Sequence, residues 1–280
     1  MDSYRRGDLT FDVLDRAPTG DPAAHPVVLL HGFPQFNTLW EPVMDRLTED
    51  GYRCLAPNQR GYSPGARPPR RRDYSFDILA EDAVALIDEI GGGPVHLVGH
   101  DLGAAVAWYV AARAPEKVKS LSVLSVPHPA SFKKALLSSR QALSSYYIYL
   151  FQFARLPEWW MTRRGGRGFA RALSGHTRER AMRDVRAMID TGTLTPALNW
   201  YRAMPATFVG PELGPVAAPT LMIWSDGDVI VKEDGIRTTG RHVTGDYRLE
   251  IMRGVTHWIA DECPDRLADL LLEWFAAHPS

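Results

Sequence analysis

The chain has 280 residues, of which 45% are hydrophobic and 23% are charged, and its formal net charge is −1. This composition is typical of a globular protein with one large domain, or one domain carrying an insert. The near-neutral balance does not indicate nucleic acid or an anionic membrane as a partner. The N-terminal MDSYRRGDLT lacks an apolar core, so we expect no signal peptide, and the apolar runs are too short to span a bilayer.

The two cysteines, Cys54 and Cys263, stand far apart in the sequence. We expect them to be free thiols in a reducing cytoplasm, although the spacing alone leaves a disulfide open. The preference for Arg over Lys, together with abundant Ala, is typical of a GC-rich bacterial genome. The sequence therefore predicts a cytoplasmic bacterial protein.

Short apolar runs alternate with helical patterns along most of the chain. The predicted strands are residues 9–15, 27–30, 53–57, 95–99, 121–126, 221–224 and 249–252. The first alternates apolar and polar residues and predicts an antiparallel edge strand, whereas the continuous runs are typical of parallel strands covered on both faces. Helices are predicted over residues 76–90, 102–113 and 264–277. This order predicts an α/β fold with a mostly parallel sheet flanked by helices.

One long segment breaks the alternation. Residues 131–211 contain no convincing strand and are rich in aromatic residues and arginine. We interpret this segment as a helical cap over the carboxyl edge of the sheet. The expected organisation is a core domain of residues 1–130 and 212–280, with a cap of residues 131–211 inserted in it.

A sharp turn joins the strand at 95–99 to the helix that follows. Its sequence, Gly99-His100-Asp101-Leu102-Gly103, resembles a nucleophile elbow that carries an aspartate. Backbone N–H groups at the start of a helix stabilise a negative charge there. The alternative is that Asp101 only caps the helix, because aspartate is a favoured N-cap residue.

Three further segments supply partners for such a carboxylate. The loop His31-Gly32-Phe33-Pro34 follows the first core strand, and Pro34 suits a cis bond there. The backbone N–H groups of Phe33 and Leu102 would then form an oxyanion hole. Two carboxylates, Asp226 and Asp228, follow a later strand, and His257 follows the last one.

With these motifs in place, the sequence resembles the α/β-hydrolase superfamily, in the branch that holds epoxide hydrolases and dehalogenases. The resemblance covers nearly the whole chain and is carried by HGFP (31–34), NQRGYS (58–63), GHDLGA (99–104) and VPHP (126–129). The order of nucleophile, acid and base along the chain also matches this fold. The resemblance implies that Asp101 is the nucleophile, His257 the base and Asp228 the acid that orients it, with Asp226 as the alternative acid.

A carboxylate nucleophile suits attack on saturated carbon, because it forms an ester that water then hydrolyses. Epoxides and alkyl halides are the two obvious substrate classes. An epoxide oxygen needs a proton donor, and a phenol with a pKa of ~10 stays protonated at neutral pH. By resemblance, Tyr201 in LNWYR and Tyr147 in YYIYLFQ occupy the ring-opening positions. Tyr146 and Tyr149 compete with Tyr147, and all of these rings could instead only pack the cap.

Leu102 is a departure from the family pattern, which often has a tryptophan directly after the nucleophile. A haloalkane dehalogenase would need that indole, and a haloacid dehalogenase similar to the fluoroacetate enzymes would need an arginine. An epoxide hydrolase needs only the backbone N–H, which leucine retains. We expect Leu102 to reshape the pocket toward bulkier or more apolar substrates. The other residues expected to border the pocket are His31, Pro34, Phe36, Trp40 and His100, of which the two histidines are expected to support loops.

The predicted function is hydrolysis of an epoxide to a vicinal diol, with water as co-substrate and with no metal or other cofactor. The expected substrate is a small apolar epoxide, and the expected assembly is a monomer or homodimer. Two alternatives remain at this point. One is a dehalogenase that uses the same aspartate, and the other is a protein of the same fold that binds a small ligand with little catalysis.

Overall fold

An eight-stranded sheet forms the centre of the protein, in the order β1-β2-β4-β3-β5-β6-β7-β8. The computed structural model describes residues 1–19, 22–23 and 25–279. The strands are β1 (Ser3–Arg6), β2 (Leu9–Arg16), β3 (Val27–Leu30), β4 (Cys54–Pro57), β5 (Val95–His100), β6 (Val118–Leu124), β7 (Thr220–Ser225) and β8 (Tyr247–Met252). The first two strands run antiparallel to their neighbours and the remaining pairs are parallel.

Helices flank this sheet and fill the segment between β6 and β7. Outside that segment lie α1 (Glu41–Glu49), α2 (Phe76–Glu89), α3 (Leu102–Arg113), α11 (Glu233–Thr238), α12 (Ile259–Glu262) and α13 (Pro264–Ala277). Within it lie α4 (Pro129–Ser138), α5 (Gln141–Ser144), α6 (Tyr146–Leu150), α7 (Leu156–Thr162), α8 (Arg167–Ala172), α9 (Arg178–Asp190) and α10 (Leu194–Val209). Among the helices in the described ranges, none is both long and apolar enough to cross a membrane.

The predicted fold class is confirmed, with one error at the edge of the sheet. The strand predicted at residues 9–15 exists as antiparallel β2, but it lies second in the sheet because β1 pairs on its outer side. Sequence patterning missed β1 because Tyr4 is its only apolar residue, and that ring stacks on Phe11 at a centroid distance of 4.7 Å. The strand predicted at 121–126 starts earlier and ends at Leu124, before Ser125 adopts a φ of 69°.

Alternate strand residues serve two separate apolar cores. Val28 and Leu30 of β3 face the core that contains α2, α3 and the helices between β6 and β7. Val27 and Leu29 face the opposite core, which α1 and α13 cover. The helices between β6 and β7 therefore share one apolar core with α2 and α3. Cys54 and Cys263 are both free thiols.

The start of helix α3 lies against the sheet because Gly99 in β5 and Gly103 in α3 carry no side chain. A Cβ atom at Gly99 would lie 2.5 Å from the Gly103 carbonyl oxygen, and one at Gly103 would overlap the carbonyl oxygen of Leu30. These two glycines let the chain turn from β5 into α3 within a few residues. The turn raises residue 101 above the sheet edge, as the elbow interpretation requires.

Candidate active site

Asp101 lies on the turn between β5 and α3 with a φ of 53° and a ψ of −123°. Non-glycine residues rarely adopt positive φ, and such positions concentrate at functional sites. The buried side chain makes no capping hydrogen bond to the helix. Its Oδ1 atom accepts a hydrogen bond from the Phe33 backbone N–H at 2.9 Å instead. The carboxylate is therefore aimed at the loop after β3, which N-capping does not explain.

The loop after β3 approaches Asp101 closely because Gly32 lacks a side chain. A Cβ atom at residue 32 would overlap the Asp101 Cβ atom and would lie 2.6 Å from Asp101 Oδ1. The next peptide bond, Phe33–Pro34, is cis. The Phe33 N–H donates to Oδ1 of this carboxylate, and the Leu102 N–H is a second backbone group that stabilises its charge. The site therefore offers two backbone N–H groups to one carboxylate.

His257 lies between two carboxylates. Its Nδ1 atom is 2.8 Å from Asp228 Oδ2, and its Nε2 atom is 3.5 Å from Asp101 Oδ2, which is longer than a normal N–H···O hydrogen bond. All three side chains are buried. The other oxygen of Asp228 accepts hydrogen bonds from the backbone N–H groups of Ile230 and Val231, at 2.8 and 2.9 Å. Asp228 is thus fixed by its own loop while it orients the imidazole.

The two carboxylates that the sequence left as alternatives have different surroundings. Asp226 accepts an exposed hydrogen bond from the Gly254 N–H at 2.8 Å, which ties together the loops after β7 and β8. Asp228, two residues later, is the one in contact with His257. The structure thus brings Asp101, Asp228 and His257 together and leaves Asp226 outside the group.

The charges in this group stabilise each other. Burial alone would lower the pKa of His257, but the carboxylates of Asp228 and Asp101 outweigh it and raise that pKa to about 10. For Asp101, burial opposes ionisation, but His257, His100 and the Leu102 N–H together hold its pKa below the usual value. At neutral pH the group therefore holds an ionised Asp101 beside an imidazolium.

Two tyrosines from the α4–α10 segment face this carboxylate. The rings of Tyr147 and Tyr201 meet edge to face at a centroid distance of 5.8 Å. Burial raises the pKa of both phenols well above the ordinary value, and the negative charge of Asp101 raises it further. Tyr146 and Tyr149 are 61% and 64% exposed. Of the three competing tyrosines on α6, Tyr147 is the one that packs against Tyr201.

Two cavities meet at Asp101, Tyr147 and Tyr201, which line both of them. The wide cavity has a volume of about 540 Å³ and is walled mainly by aromatic and aliphatic side chains of α6 to α8, together with His257 and Trp258. The narrow cavity has a volume of about 60 Å³, and Leu102 forms part of its apolar wall. The site is therefore an apolar space whose few polar groups converge at one point.

Most of the residues expected to border the pocket lie behind it. Trp40 is fully buried in the opposite core with α1 and α13, because the loop after β3 turns it to the other face of the sheet. Phe36 packs against the ring of Tyr62, and Pro34 is buried in the loop. None of these three residues lines either cavity, so the prediction that they border the pocket is wrong.

The two histidines near the site also lie outside both cavities, and they support loops. His31 accepts a hydrogen bond from the Gln59 N–H at 3.2 Å, and His100 Nε2 lies 2.9 Å from the His257 carbonyl oxygen. Burial lowers the pKa of each to about 4, so both rings are neutral at pH 7. His100 therefore donates through Nε2 and holds the backbone of His257 in place.

Three residues that the sequence analysis did not single out shape the site. Trp258 lines the wide cavity and meets His257 edge to face. Gln152 donates to the Tyr201 carbonyl oxygen at 2.8 Å and thereby links the α6 region to α10. Gln141 is buried and bonds to the loop after Asp228, where it accepts from the Lys232 N–H at 2.7 Å. The partners of both glutamines are distant in sequence, so the local sequence does not show which groups they bind.

One further cluster of titratable side chains lies beside the site. His176, Asp184 and Asp261 place their potential ligand atoms within 4.8 Å of one another. Arg183 donates to Asp184 at 2.8 Å, and Gln35 donates to Asp261. Because protein donors already bind these carboxylates, the cluster acts as an ion-pair network that joins α9 to α12.

Comparison with known proteins places this architecture in a family. The profile of the alpha/beta hydrolase fold matches residues 25–264. Epoxide hydrolase 3 of Xenopus tropicalis is 31% identical, with 93% of this chain and 75% of that protein covered. The AB hydrolase superfamily protein YfhM of Bacillus subtilis is 32% identical, with 89% of each chain covered.

Solved structures show the same likeness. The crystal structure of epoxide hydrolase A from Mycobacterium thermoresistibile superposes with a TM-score of 0.84 at 25% identity, over 98% of this chain and 97% of that one. The tight turn at Asp101 and the chain order of Asp101, Asp228 and His257 match the general pattern of the alpha/beta hydrolase fold. The chain belongs to the alpha/beta hydrolase fold family.

Proposed function

We propose that the protein is an epoxide hydrolase that opens an apolar epoxide to a vicinal diol through an ester on Asp101. The observation that carries this proposal is the position of one carboxylate. Asp101 Oδ1 accepts the Phe33 N–H, Oδ2 faces His257, and both tyrosines share the cavity wall with it. The similarity to proteins named epoxide hydrolases supports it.

In the first half of the reaction, Asp101 Oδ2 attacks a ring carbon and the carbon–oxygen bond of the epoxide breaks. Tyr147 and Tyr201 donate hydrogen bonds to the departing oxygen, since their raised pKa values keep the phenols protonated. Asp101 is ready for this attack because its pKa is held low. Oδ1 stays in the hole formed by Phe33 and Leu102 and becomes the ester carbonyl oxygen.

Ester formation also converts His257 into a base. The ester carries no charge, so the imidazolium loses one of the two carboxylates that raise its pKa. Its proton passes to the oxygen released from the ring, which leaves a hydroxyl group and a neutral His257. The residue that stabilised the nucleophile as a cation then removes a proton from water.

In the second half, hydroxide attacks the Asp101 carbonyl carbon and the negative charge develops on Oδ1. The N–H groups of Phe33 and Leu102 stabilise that charge. The intermediate collapses, the proton of its newly added hydroxyl group passes to the departing alkoxide, and the diol leaves the Asp101 carboxylate beside the His257 imidazolium. The sum is one epoxide and one water converted to one diol, with Asp228 orienting the imidazole throughout.

The shape of the site defines the substrate class within this proposal. A cavity of about 540 Å³ accommodates a large aromatic or branched apolar group. The narrow cavity of about 60 Å³ on the Leu102 side accepts only a small substituent. We therefore expect epoxides with one bulky apolar group. We also propose that the chain divides into a core domain of residues 1–130 and 212–280 and a cap of residues 131–211, and that both domains contribute walls to the two cavities.

Intact-protein mass spectrometry tests the proposal. His257→Gln removes the base, so the ester on Asp101 should accumulate when the variant meets a panel of aryl epoxides and chloroalkanes. We expect a mass gain equal to a whole epoxide, and no gain in the matched Asp101→Asn variant. A gain equal to a chloroalkane minus HCl would indicate a dehalogenase. Saturable binding without any adduct would indicate a ligand-binding protein.

A further inference from the structure

The mouth of the wide cavity is a surface of exposed apolar side chains. Six residues both line the cavity and stand between 44% and 61% exposed, which marks them as its rim: Tyr146, Leu150, Leu156, Trp159, Trp160 and Val229. Tyr149 and Phe153, at 64% and 58% exposure, lie next to them in the chain. Exposed apolar side chains concentrated in this way mark interaction sites.

The segment of the chain that carries most of this rim is rich in arginine and poor in acidic residues. Residues 140–175 contain six arginines and one acidic residue, Glu158, in a chain whose net charge is −1. Glu158 is already paired with the buried Arg202 at 2.8 Å. The exposed guanidinium groups of Arg155, Arg164, Arg167 and Arg171 have no carboxylate within 4.0 Å in the part of the chain that the structure describes. The net charge of the whole chain therefore does not reveal this local excess of positive charge.

The aromatic and cationic groups are interleaved. Arg163 lies over the Trp159 ring at 4.5 Å from its centroid, and α8, which carries Arg167 and Arg171, packs against α7, which carries Trp159 and Trp160. Tryptophan and tyrosine favour the boundary between lipid headgroups and acyl chains. Arginines beside them add attraction to anionic lipid.

From this arrangement we infer that the rim of the wide cavity docks on the surface of an anionic bilayer. Its apolar side chains insert at the boundary, while Arg155, Arg163, Arg164, Arg167 and Arg171 contact lipid phosphates and carboxylates. A protein partner on the rim would cover the mouth of the cavity, whereas a bilayer leaves the cavity open toward its own apolar phase. The protein lies on the membrane and does not span it.

Docking in this position has a consequence for the substrate, and this consequence rests on the proposed function. Apolar epoxides dissolve in the acyl region of a bilayer and would reach the cavity without crossing water. We therefore expect lipid-dissolved long-chain epoxides to be hydrolysed faster when the enzyme is bound to vesicles.

Vesicle co-sedimentation of the full chain tests the docking itself. Phosphatidylcholine vesicles with added phosphatidylserine should bind the protein, and binding should fall as salt increases. The variant Arg164→Glu/Arg167→Glu/Arg171→Glu should bind about 100-fold more weakly, at about fivefold per lost arginine. Its matched control, Arg70→Glu/Arg71→Glu/Arg72→Glu, makes the same charge change in the exposed loop before α2 and should bind at least tenfold better than the patch variant.

A second variant, Tyr149→Ser/Phe153→Ser, removes two exposed apolar side chains beside the rim without altering the charge or the cavity lining. It should also weaken binding to the vesicles. Circular dichroism shows whether each variant is folded. Equal vesicle binding by patch and control variants, or no binding by the wild type, would overturn the inference. So would a concentration-dependent dimer that the patch variants abolish, because the rim would then be an interface between copies.

The chemistry is measured separately with a water-soluble epoxide, whose turnover should be equal in the wild type and both patch variants. If no epoxide is turned over but vesicles still bind, the proposed function fails and the docking surface stands. If the soluble epoxide is hydrolysed and vesicles do not bind, the docking inference fails and the proposed function stands.

Discussion

The substitution Gly32→Ala tests how the loop after β3 contributes to the site. The added Cβ atom would overlap the Asp101 Cβ atom and would lie 2.6 Å from Asp101 Oδ1 and 2.8 Å from the His100 carbonyl oxygen. Ordinary contacts between heavy atoms begin near ~3.5 Å, so the loop and the elbow must separate by about 1 Å. The Phe33 N–H, now 2.9 Å from Oδ1, would then lie beyond hydrogen-bond distance.

The expected effect is large because this N–H serves both halves of the proposed reaction. Removing one donor from an oxyanion hole costs about 10²- to 10³-fold in kcat, or roughly 2.7–4 kcal/mol. Overpacking at a buried position costs about 1–3 kcal/mol of folding stability in addition. We therefore expect a folded protein with a lower melting temperature and a kcat reduced by about two to three orders of magnitude.

The assay combines steady-state hydrolysis of an aryl epoxide, thermal unfolding and intact mass during turnover. Because the oxyanion develops in the second half-reaction, the ester on Asp101 should accumulate in Gly32→Ala. Gly93→Ala is the matched control, since a Cβ atom at that position meets no atom within 4 Å. A folded Gly32→Ala variant with the kcat of the control would refute the reasoning.

Three further predictions concern charge, shape and support of the site. The pKa of His257 is raised from 6.5 to about 10, so its contribution to stability is complete below pH 6.5 and is lost as the pH rises toward 10. Denaturation by urea should show unfolding free energy falling by up to about 1.4 kcal/mol per pH unit in this window, a slope that His257→Gln should remove. Leu102→Trp should fill the narrow cavity, so that epoxides substituted on both carbons lose turnover relative to monosubstituted ones; an unchanged ratio would contradict this shape argument. Gln141→Leu leaves the Lys232 N–H and the Ile230 carbonyl group without their partner and should cost about 1–3 kcal/mol of stability. The same urea denaturation measures this cost, and the control is Leu143→Ala, a substitution at an exposed position of the same helix.

Residue patterns close together in the chain predicted the sheet and the tight turn that carries Asp101. Continuous apolar runs predict parallel strands because such strands are covered on both faces, and this prediction is confirmed by the sheet. The glycines at 99 and 103 predict a tight turn because only a residue without a side chain fits between β5 and α3. These features depend on a few neighbouring residues, so the sequence alone carries them.

The tertiary structure decided what depends on distant segments. The family resemblance favours Asp228 over Asp226, but only the fold of the loop after β7 shows that Asp228 contacts His257 while Asp226 binds the Gly254 N–H. Packing against Tyr201 selects Tyr147 among its neighbours on α6. Trp40 turns into the opposite core, although its position near the HGFP loop favoured the pocket. The direction of a side chain is set by the elements that pack against it, and those elements come from far along the chain.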